Sequence, residues 1–254
     1  RFELPGNDGK GVGKTYAQDL IQQDVESWIR VQKDKPFFLF YAITLPHGRH
    51  EIDDFGIYKD KPWTPAQKAY AAQVTRLDSD VGRVLKLLKE LGLDENTMVM
   101  IAGDNGSSFA PSSEIGKLFD QASNGLRGFK RGLYEGALRQ AALARWPGKV
   151  PAGRVEETAV TGGVDFLPTI AALAGVKVPA SLAPDGEDKS AHWLGGGAAP
   201  RTRPLHWEWI SGVQGPEDGY MPPPLCVRDG QWKIFVKHDG QGAQLFDIPK
   251  DAAE

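Results

Sequence analysis

One stretch, residues 98–106, constrains the fold more than any other part of this sequence. Five apolar residues run without a break from Met98 to Ala102, and Gly103, Asp104 and Asn105 follow at once. An unbroken apolar run of this kind is typical of a strand buried on both faces, as in a parallel sheet. Asp104 and Asn105 therefore follow the carboxyl end of a buried strand, which is the edge where open α/β sheets bind ligands.

The Asp104–Asn105 pair has two interpretations. A carboxylate beside an amide oxygen suits a hard cation, calcium or magnesium, better than zinc. A simple turn is the alternative, because Asp-Asn-Gly is favourable turn chemistry in any loop. Turns greatly outnumber metal sites, so the tripeptide by itself favours the turn.

Strand and helix patterns alternate before this stretch. A second apolar run covers residues 37–43 and ends at Pro46-His47, which places His47 beyond the carboxyl end of a strand as well. Thr15 and Gln18 have capping-box spacing, and Thr64 precedes a proline as a helix cap does. The predicted helices cover residues 15–31, 65–91 and 164–174. The strand–helix–strand order predicts a right-handed crossover in an α/β fold with a mainly parallel sheet flanked by helices.

The end of the chain has a different pattern. Short β-like runs alternate with turns over residues 205–210, 225–228, 232–236 and 244–248, which predicts a small antiparallel sheet. Residues 176–203 are rich in proline, glycine and alanine and suggest a linker. We therefore predict an α/β domain over residues 1–198 and a small antiparallel β subdomain over residues 199–254.

Charge and cysteine content argue against several kinds of protein. Thirty lysines and arginines balance 33 acidic residues, so nothing indicates a surface for nucleic acid or anionic membranes. No apolar run reaches the length of a membrane span. A single cysteine, Cys226, excludes an intrachain disulfide. We expect no nucleic-acid partner and no membrane partner.

Taken together, five segments in order resemble the formylglycine-dependent sulfatases of the alkaline-phosphatase-like superfamily. The segments are residues 36–39 running to 46–47, 74–78 with 81–82, 103–106, 126–148, and 227–233 with 245–247. Each is weak alone, whereas the fourth, which contains Lys130 and Glu135-Gly136, is the most specific. The resemblance covers nearly the whole chain and implies an alkaline-phosphatase-like α/β fold, here incomplete.

The resemblance also implies that two motifs are missing. Sulfatases carry an upstream Asp-Asp metal pair, and a Cys-x-Pro/Ala-x-Arg motif whose cysteine, or serine in some bacterial members, becomes formylglycine. Neither is present, because Cys226 is followed by Val227-Arg228-Asp229. The chain therefore resembles the C-terminal part of a sulfatase, and we expect it to be inactive on its own.

The resemblance assigns roles to particular residues. It makes Asp104 and Asn105 ligands of a metal, usually calcium, with magnesium possible. It makes Lys130 the sulfate-binding lysine and His47 the general acid beside the scissile ester oxygen, in preference to His50. Two ligands cannot fill a calcium shell of about 6–8 oxygens, so we expect the chain alone to bind metal poorly.

Alternatives stand beside these roles. Without the family resemblance, we would interpret Lys130 as a solvated loop lysine and His47 as an ordinary loop histidine. His206 either lines a substrate pocket or packs in the core. Arg127, Glu135 and Arg139 are interpreted mainly as structural, through buried Arg–Glu pairing.

The sequence departs from the family pattern at a few positions. Arg49 stands where many members have proline, two residues after the histidine. Ala137 replaces the second glycine of Glu-Gly-Gly, and Ala141 replaces the proline of Arg-x-Pro. These changes affect the expected local loop geometry rather than the family assignment.

The resemblance implies a sulfuric ester hydrolase acting on a small sulfate ester, with a sulfated sugar expected from family frequency. Two other functions remain open: a phosphodiesterase or phosphonate monoester hydrolase of the same superfamily, and a non-catalytic module that binds sulfated glycans. Family analogy also suggests a periplasmic or extracellular location.

Overall fold

The computed structural model describes residues 13–52, 54–197, 200–209 and 222–254. The chain forms two compact units, one ending at Thr97 and the other spanning Met98–Glu254. The helices are α1 (Ala17–Gln32), α2 (Pro65–Glu90), α3 (Glu114–Leu118), α4 (Glu135–Leu138), α5 (Phe166–Leu173) and α6 (Ser190–Trp193). The strands are β1 (Val99–Ala102), β2 (Ala142–Arg145), β3 (Leu205–Glu208), β4 (Leu225–Asp229), β5 (Trp232–Val236) and β6 (Gln244–Asp247). Short 3-10 turns cover Gly56–Tyr58, Asp94–Asn96, Asp120–Ser123, Gly163–Asp165 and Ala180–Leu182.

Both predicted helices of the first unit are present, but only one has the predicted cap. Thr64 accepts a hydrogen bond from the Gln67 backbone N–H and completes a capping box at the start of α2. The N-cap of α1 is Tyr16, and no side chain caps it, so the predicted capping box was wrong. The Gln18 side chain instead donates to the Asp80 carboxylate of α2, at 2.8 Å, because a buried amide needs a buried acceptor.

Residues 37–43, predicted as a buried strand, belong to no helix and no paired strand in the described chain. Their side chains alternate between half-buried and exposed, which is the period-2 pattern of an extended chain. Phe37 packs edge-on against Trp28, with ring centroids 5.6 Å apart, while Phe38 and Phe40 are 67% and 81% exposed. The predicted burial on both faces is therefore not observed.

The strand pairings in the second unit are antiparallel. β1 pairs with β2, with Val99 opposite Arg145 and Ala102 opposite Ala142. Strands β3–β6 form a four-stranded antiparallel sheet in sequence order, as predicted for the C-terminal region. The described residues show α/β content but no parallel pairing, since the run expected to lie parallel to β1 has no strand partner.

Residues 176–203 were predicted as a linker, but their described part packs on α5. The Asp165 carboxylate accepts from the Glu187 backbone N–H at 2.8 Å and forms a buried ion pair with Arg201. The Thr169 hydroxyl accepts from the Lys189 backbone N–H at 2.9 Å. Polar side chains, which the proline- and glycine-rich composition did not reveal, fix this segment. The predicted domain boundary between residues 198 and 199 lies outside the described residues.

A small apolar core joins the 126–138 region to the C-terminal sheet. Leu133, Tyr134, Cys226 and Phe235 are all buried, and the Tyr134 and Phe235 rings meet edge-on with centroids 5.2 Å apart. These side chains are removed from water because the loop packs against the sheet. The core therefore fixes the segment that carries Lys130 on a rigid support.

Candidate functional site

Asp104 and Asn105 lie directly after β1, as predicted. Asp104 is exposed and makes no hydrogen bond or ion pair with any described residue. The Asn105 Nδ2 donates to the Gly106 carbonyl at 2.8 Å, and no described residue donates to its Oδ1. The pair thus offers a carboxylate and an amide oxygen that are both available to a ligand.

The backbone after Asn105 is not closed into a simple turn. A turn over residues 103–106 would use the Gly106 N–H to reach the Gly103 carbonyl. That N–H instead donates to the Ala137 carbonyl at 2.8 Å, and the Gly103 N–H donates to the Ala141 carbonyl at 3.2 Å. A distant segment of the chain therefore holds the loop in place, and a preorganised binding site needs such support.

The donor chemistry of this pair fits part of a calcium site. Oxygen atoms of a carboxylate and an amide are ligands that calcium accepts, but a complete shell needs about 6–8 oxygens. Within the ranges described above, no group of three or more histidine, cysteine, aspartate or glutamate side chains has metal-binding geometry. Asp104 and Asn105 are ligand types that calcium accepts, but two side chains do not complete its coordination shell.

Lys130 lies on a loop that touches the Asp104 loop through the backbone. The Lys130 N–H donates to the Ser107 carbonyl at 2.6 Å, and the Gly136 N–H donates to the Arg127 carbonyl at 2.7 Å. The Lys130 side chain is half-buried and forms no ion pair with any described carboxylate. Its ammonium is therefore available to an anion.

Two glycines allow these segments to approach so closely. A Cβ on Gly106 would lie 2.0 Å from the Gly136 carbonyl oxygen. A Cβ on Gly136 would lie 2.5 Å from the Arg127 carbonyl oxygen. α4 therefore packs backbone to backbone against both the loop after β1 and residues 126–128, with no space for a side chain at either contact.

Glu135 is buried and paired, but not with the predicted arginines alone. Its Oε1 lies 2.9 Å from the Lys233 Nζ and its Oε2 lies 3.0 Å from Arg228, whereas Arg139 is at 3.7 Å. Arg127 instead lies over the Tyr134 ring, with its guanidinium carbon 4.1 Å from the centroid. The structural role predicted for Glu135 agrees with this geometry. Its main partners were missed, because a sequence pattern does not show contacts across about a hundred residues.

His47 lies in the first unit, in a turn that contains the cis peptide Leu45–Pro46. Its side chain is exposed, with Nδ1 3.0 Å from the Gly48 carbonyl oxygen. The competing His50 is half-buried, with Nδ1 2.9 Å from the Gln73 Oε1 and its ring against Tyr70. His50 therefore contacts α2, whereas the imidazole of His47 faces solvent.

His206 lies on β3 and lines an open cleft of about 570 Å³ formed by described residues of the second unit. The cleft also presents Trp207, Arg203 and Asp185. His206 is exposed, so it does not pack in the core. An aromatic ring beside a few polar groups is the usual lining of a small-molecule site.

Cys226 cannot serve as a nucleophile. It is 1% exposed in β4, and burial raises the pKa of its thiol to about 12. The reactive form of cysteine is the thiolate, which is scarcely populated at neutral pH with such a pKa. The structure thus agrees with a packing role for this residue.

Comparison with known proteins identifies the family. The sequence model of the family described as Sulfatase matches residues 3–176. Human arylsulfatase A is 36% identical over 254 residues, covering 98% of this chain and 43% of that protein. N-acetylgalactosamine-6-sulfatase of Canis lupus familiaris is 33% identical over 190 residues, covering 72% of this chain and 34% of that protein.

Solved structures agree. The crystal structure of Ps i-CgsB superposes with a TM-score of 0.77 at 28% identity, covering 97% of this chain and 52% of that one. The chain thus spans about a third to a half of the length of the proteins it matches. Among the described residues, no helix is both long and apolar enough to cross a bilayer. The chain belongs to the sulfatase family.

Proposed function

We propose that this chain is the C-terminal part of a sulfuric ester hydrolase and supplies half of its active site. The observation that carries the proposal is the 2.6 Å hydrogen bond from the Lys130 N–H to the Ser107 carbonyl. It holds a loop with an unpaired ammonium against the segment that follows Asp104 and Asn105. A bound sulfate group needs positive charge around its oxygens, and a cation site beside an anion-binding lysine would supply that charge.

Each residue has a role that its position supports. Asp104 and the Asn105 Oδ1 would hold the cation, and calcium, or magnesium, would supply positive charge to the sulfate oxygens when bound. Lys130 would bind a sulfate oxygen and stabilise charge that develops on it. His47, which is exposed, would donate a proton to the leaving alkoxide as general acid.

We propose that a longer protein completes the site and supplies the nucleophile. The formylglycine motif does not occur here, and the buried thiol of Cys226 does not replace it. In that longer protein, residues 37–43 would pair as a strand of a mainly parallel sheet. The isolated chain should hydrolyse no aryl sulfate and should bind calcium more weakly than micromolar. Turnover by the purified chain, or a micromolar calorimetric affinity, would contradict the proposal.

We further propose a sulfated sugar as the substrate and an extracytoplasmic location, periplasmic or extracellular. Two proteins that this chain resembles support the sugar: N-acetylgalactosamine-6-sulfatase by its name, and Ps i-CgsB, which was crystallised with k-i-k-neocarrahexaose. The cleft beside His206 would contact the sugar, with Trp207 offering an apolar face and Arg203 a positive charge.

The test uses the longer protein that contains this chain. Lys130→Ala should lower kcat/KM for an aryl sulfate by about 10²–10³-fold, the loss typical of one charge-stabilising donor. Lys117→Ala, which changes an exposed lysine of α3, is the matched control and should leave the rate unchanged. An unchanged rate in Lys130→Ala would remove Lys130 from the site. Faster turnover of a phosphate diester than of a sulfate ester would indicate a phosphodiesterase. Glycan binding with no turnover of either ester would indicate a binding module.

A further inference from the structure

The most deeply buried cation in the described chain is Lys233, which lies on the C-terminal sheet. Its side chain is 0% exposed in β5, between Trp232, which is 48% exposed, and the half-buried Ile234. A lysine is almost never fully buried unless it is paired. Its Nζ lies 2.9 Å from the Glu135 Oε1 and 2.8 Å from the Glu254 Oε1. One ammonium therefore bridges two buried carboxylates.

Glu135 receives a second cation from the same sheet. Arg228 of β4 lies opposite Lys233 in the β4–β5 register, and its Nη1 donates to the Glu135 Oε2 at 3.0 Å. The two strands thus present a matched pair of cations, one to each oxygen of a single carboxylate. Such a fork fixes the position and the orientation of the carboxylate, which one contact would not do.

Glu135 is the first residue of α4, and α4 contacts both loops of the proposed active site. The Ala137 carbonyl accepts from Gly106, next to Asn105, and the Gly136 N–H donates to Arg127, three residues before Lys130. The Lys130 N–H in turn donates to the Ser107 carbonyl. A movement of α4 would therefore shift the acid–amide pair and the lysine loop.

We infer that Lys233, acting through Glu135, is the positioning residue that fixes Asp104, Asn105 and Lys130 relative to one another. The inference rests on the proposed function, because it assigns these three residues to one site. Lys233 touches none of the three side chains. It fixes a carboxylate, the carboxylate fixes α4, and the backbone of α4 fixes both loops. The C-terminal sheet thereby has a part in the geometry of the site.

The experiment measures loop geometry and turnover separately, in the longer protein that contains this chain. Hydrogen exchange is followed in peptides covering residues 103–107 and 126–137, and kcat and KM are measured with an aryl sulfate. The variants are Lys233→Met, Glu135→Gln and the double variant. Ile248→Ala is the control, because it removes a buried side chain directly after β6 that is not a member of the core formed by Leu133, Tyr134, Cys226 and Phe235.

Lys233→Met should accelerate exchange in both peptides by at least about tenfold and lower kcat by about 10²-fold, the cost of a misplacement near 1 Å. KM should change less than threefold. The double variant should be no worse than Lys233→Met, because both substitutions act on one contact. At equal distance below its melting temperature, Ile248→Ala should match the wild-type protein in exchange of both peptides and in kcat.

Other outcomes separate the two proposals. If Ile248→Ala loses kcat and loop protection as much as Lys233→Met does, Lys233 only stabilises the sheet and the inference is overturned. The inference is also overturned if Lys233→Met leaves both peptides protected. If the wild-type protein turns over no sulfate ester, the proposed function fails. The exchange data then still decide whether Lys233 positions the two loops.

Discussion

A close backbone approach at α4 gives the sharpest stability prediction, for Gly136→Ala. In a helix, replacing glycine by alanine gains about 1 kcal/mol of propensity. At this position, however, the new Cβ would lie 2.5, 2.6 and 2.8 Å from the carbonyl oxygens of Arg127, Gly128 and Leu126. Relief to 3.0 Å requires a shift of at least about 0.5 Å, and overpacking of this kind costs about 1–3 kcal/mol. The steric cost should exceed the propensity gain.

Gly82→Ala provides the matched control, because Gly82 lies inside α2 with no atom within 4 Å of the Cβ position. It should raise the free energy of unfolding by about 0.5–1 kcal/mol through propensity alone. Equilibrium urea denaturation, followed by circular dichroism, measures both variants. Gly136→Ala should lower the free energy of unfolding, and the two variants should differ by about 1–3 kcal/mol. Equal stabilisation by both substitutions would refute the close packing of α4 against residues 126–128.

Three further predictions concern the second unit. Phe235→Ala removes a fully buried ring that packs on Tyr134 and Phe246, and should cost about 3–5 kcal/mol in urea denaturation. Burial opposes ionisation of Glu187, but hydrogen bonds from Lys189, Thr202 and Arg203 outweigh it and hold its pKa at about 2. Its contribution to stability is therefore present above pH 4.5 and lost as the pH falls toward 2, so Glu187→Gln should cost about 1 kcal/mol at pH 6 and almost nothing near pH 2. The Cys226 thiol, with its pKa raised to about 12, should react with a thiol reagent at pH 8 only after unfolding; fast labelling of the native protein would contradict its burial.

The parts of the fold that depend on neighbouring residues were predictable from the sequence. The Thr64–Gln67 capping box and the four C-terminal strands depend on spacing within a few residues, and both are present. The Thr15–Gln18 pair had the same spacing and failed. The Gln18 amide found its partner in Asp80, 62 residues away, and local spacing contains no information about such a contact.

The buried face of α2 shows the same limit. Val74 lies on the apolar stripe of α2, yet it is 42% exposed, while Gln73 and Asp80 are buried. The contact between α1 and α2 is a polar network in which Asp80 accepts from Gln18 and pairs with Arg76 at 3.0 Å. A search for apolar stripes cannot find a polar interface, because satisfied polar groups replace the apolar ones it counts.

The candidate site also has one part that the sequence predicts and another part that it does not. The position of Asp104 and Asn105 after a strand follows from the apolar run before them, and their chemistry can be read directly from residue type. The support beneath the site could not be predicted, because Lys233 and Glu135 are 98 residues apart and each resembles an ordinary charged residue in sequence. Family resemblance singled out the segments of both residues but not the contact between them.

The exposed face of residues 37–43 connects the fold to the proposed function. Fully burying one phenylalanine side chain is worth about 1.5–3 kcal/mol, so the exposed parts of Phe38 and Phe40, 67% and 81%, forgo about 2–4 kcal/mol together. That is a large share of the 5–15 kcal/mol that usually separates a folded domain from its unfolded state. Burial alternates along this apolar run, and its exposed face carries aromatic side chains. These are properties of a sheet strand whose neighbouring strand and covering layer are supplied by another segment. The proposed longer enzyme needs further polypeptide to supply a nucleophile and the remaining metal ligands. Covering Phe38 and Phe40 with that same polypeptide would couple completion of the active site to completion of the sheet.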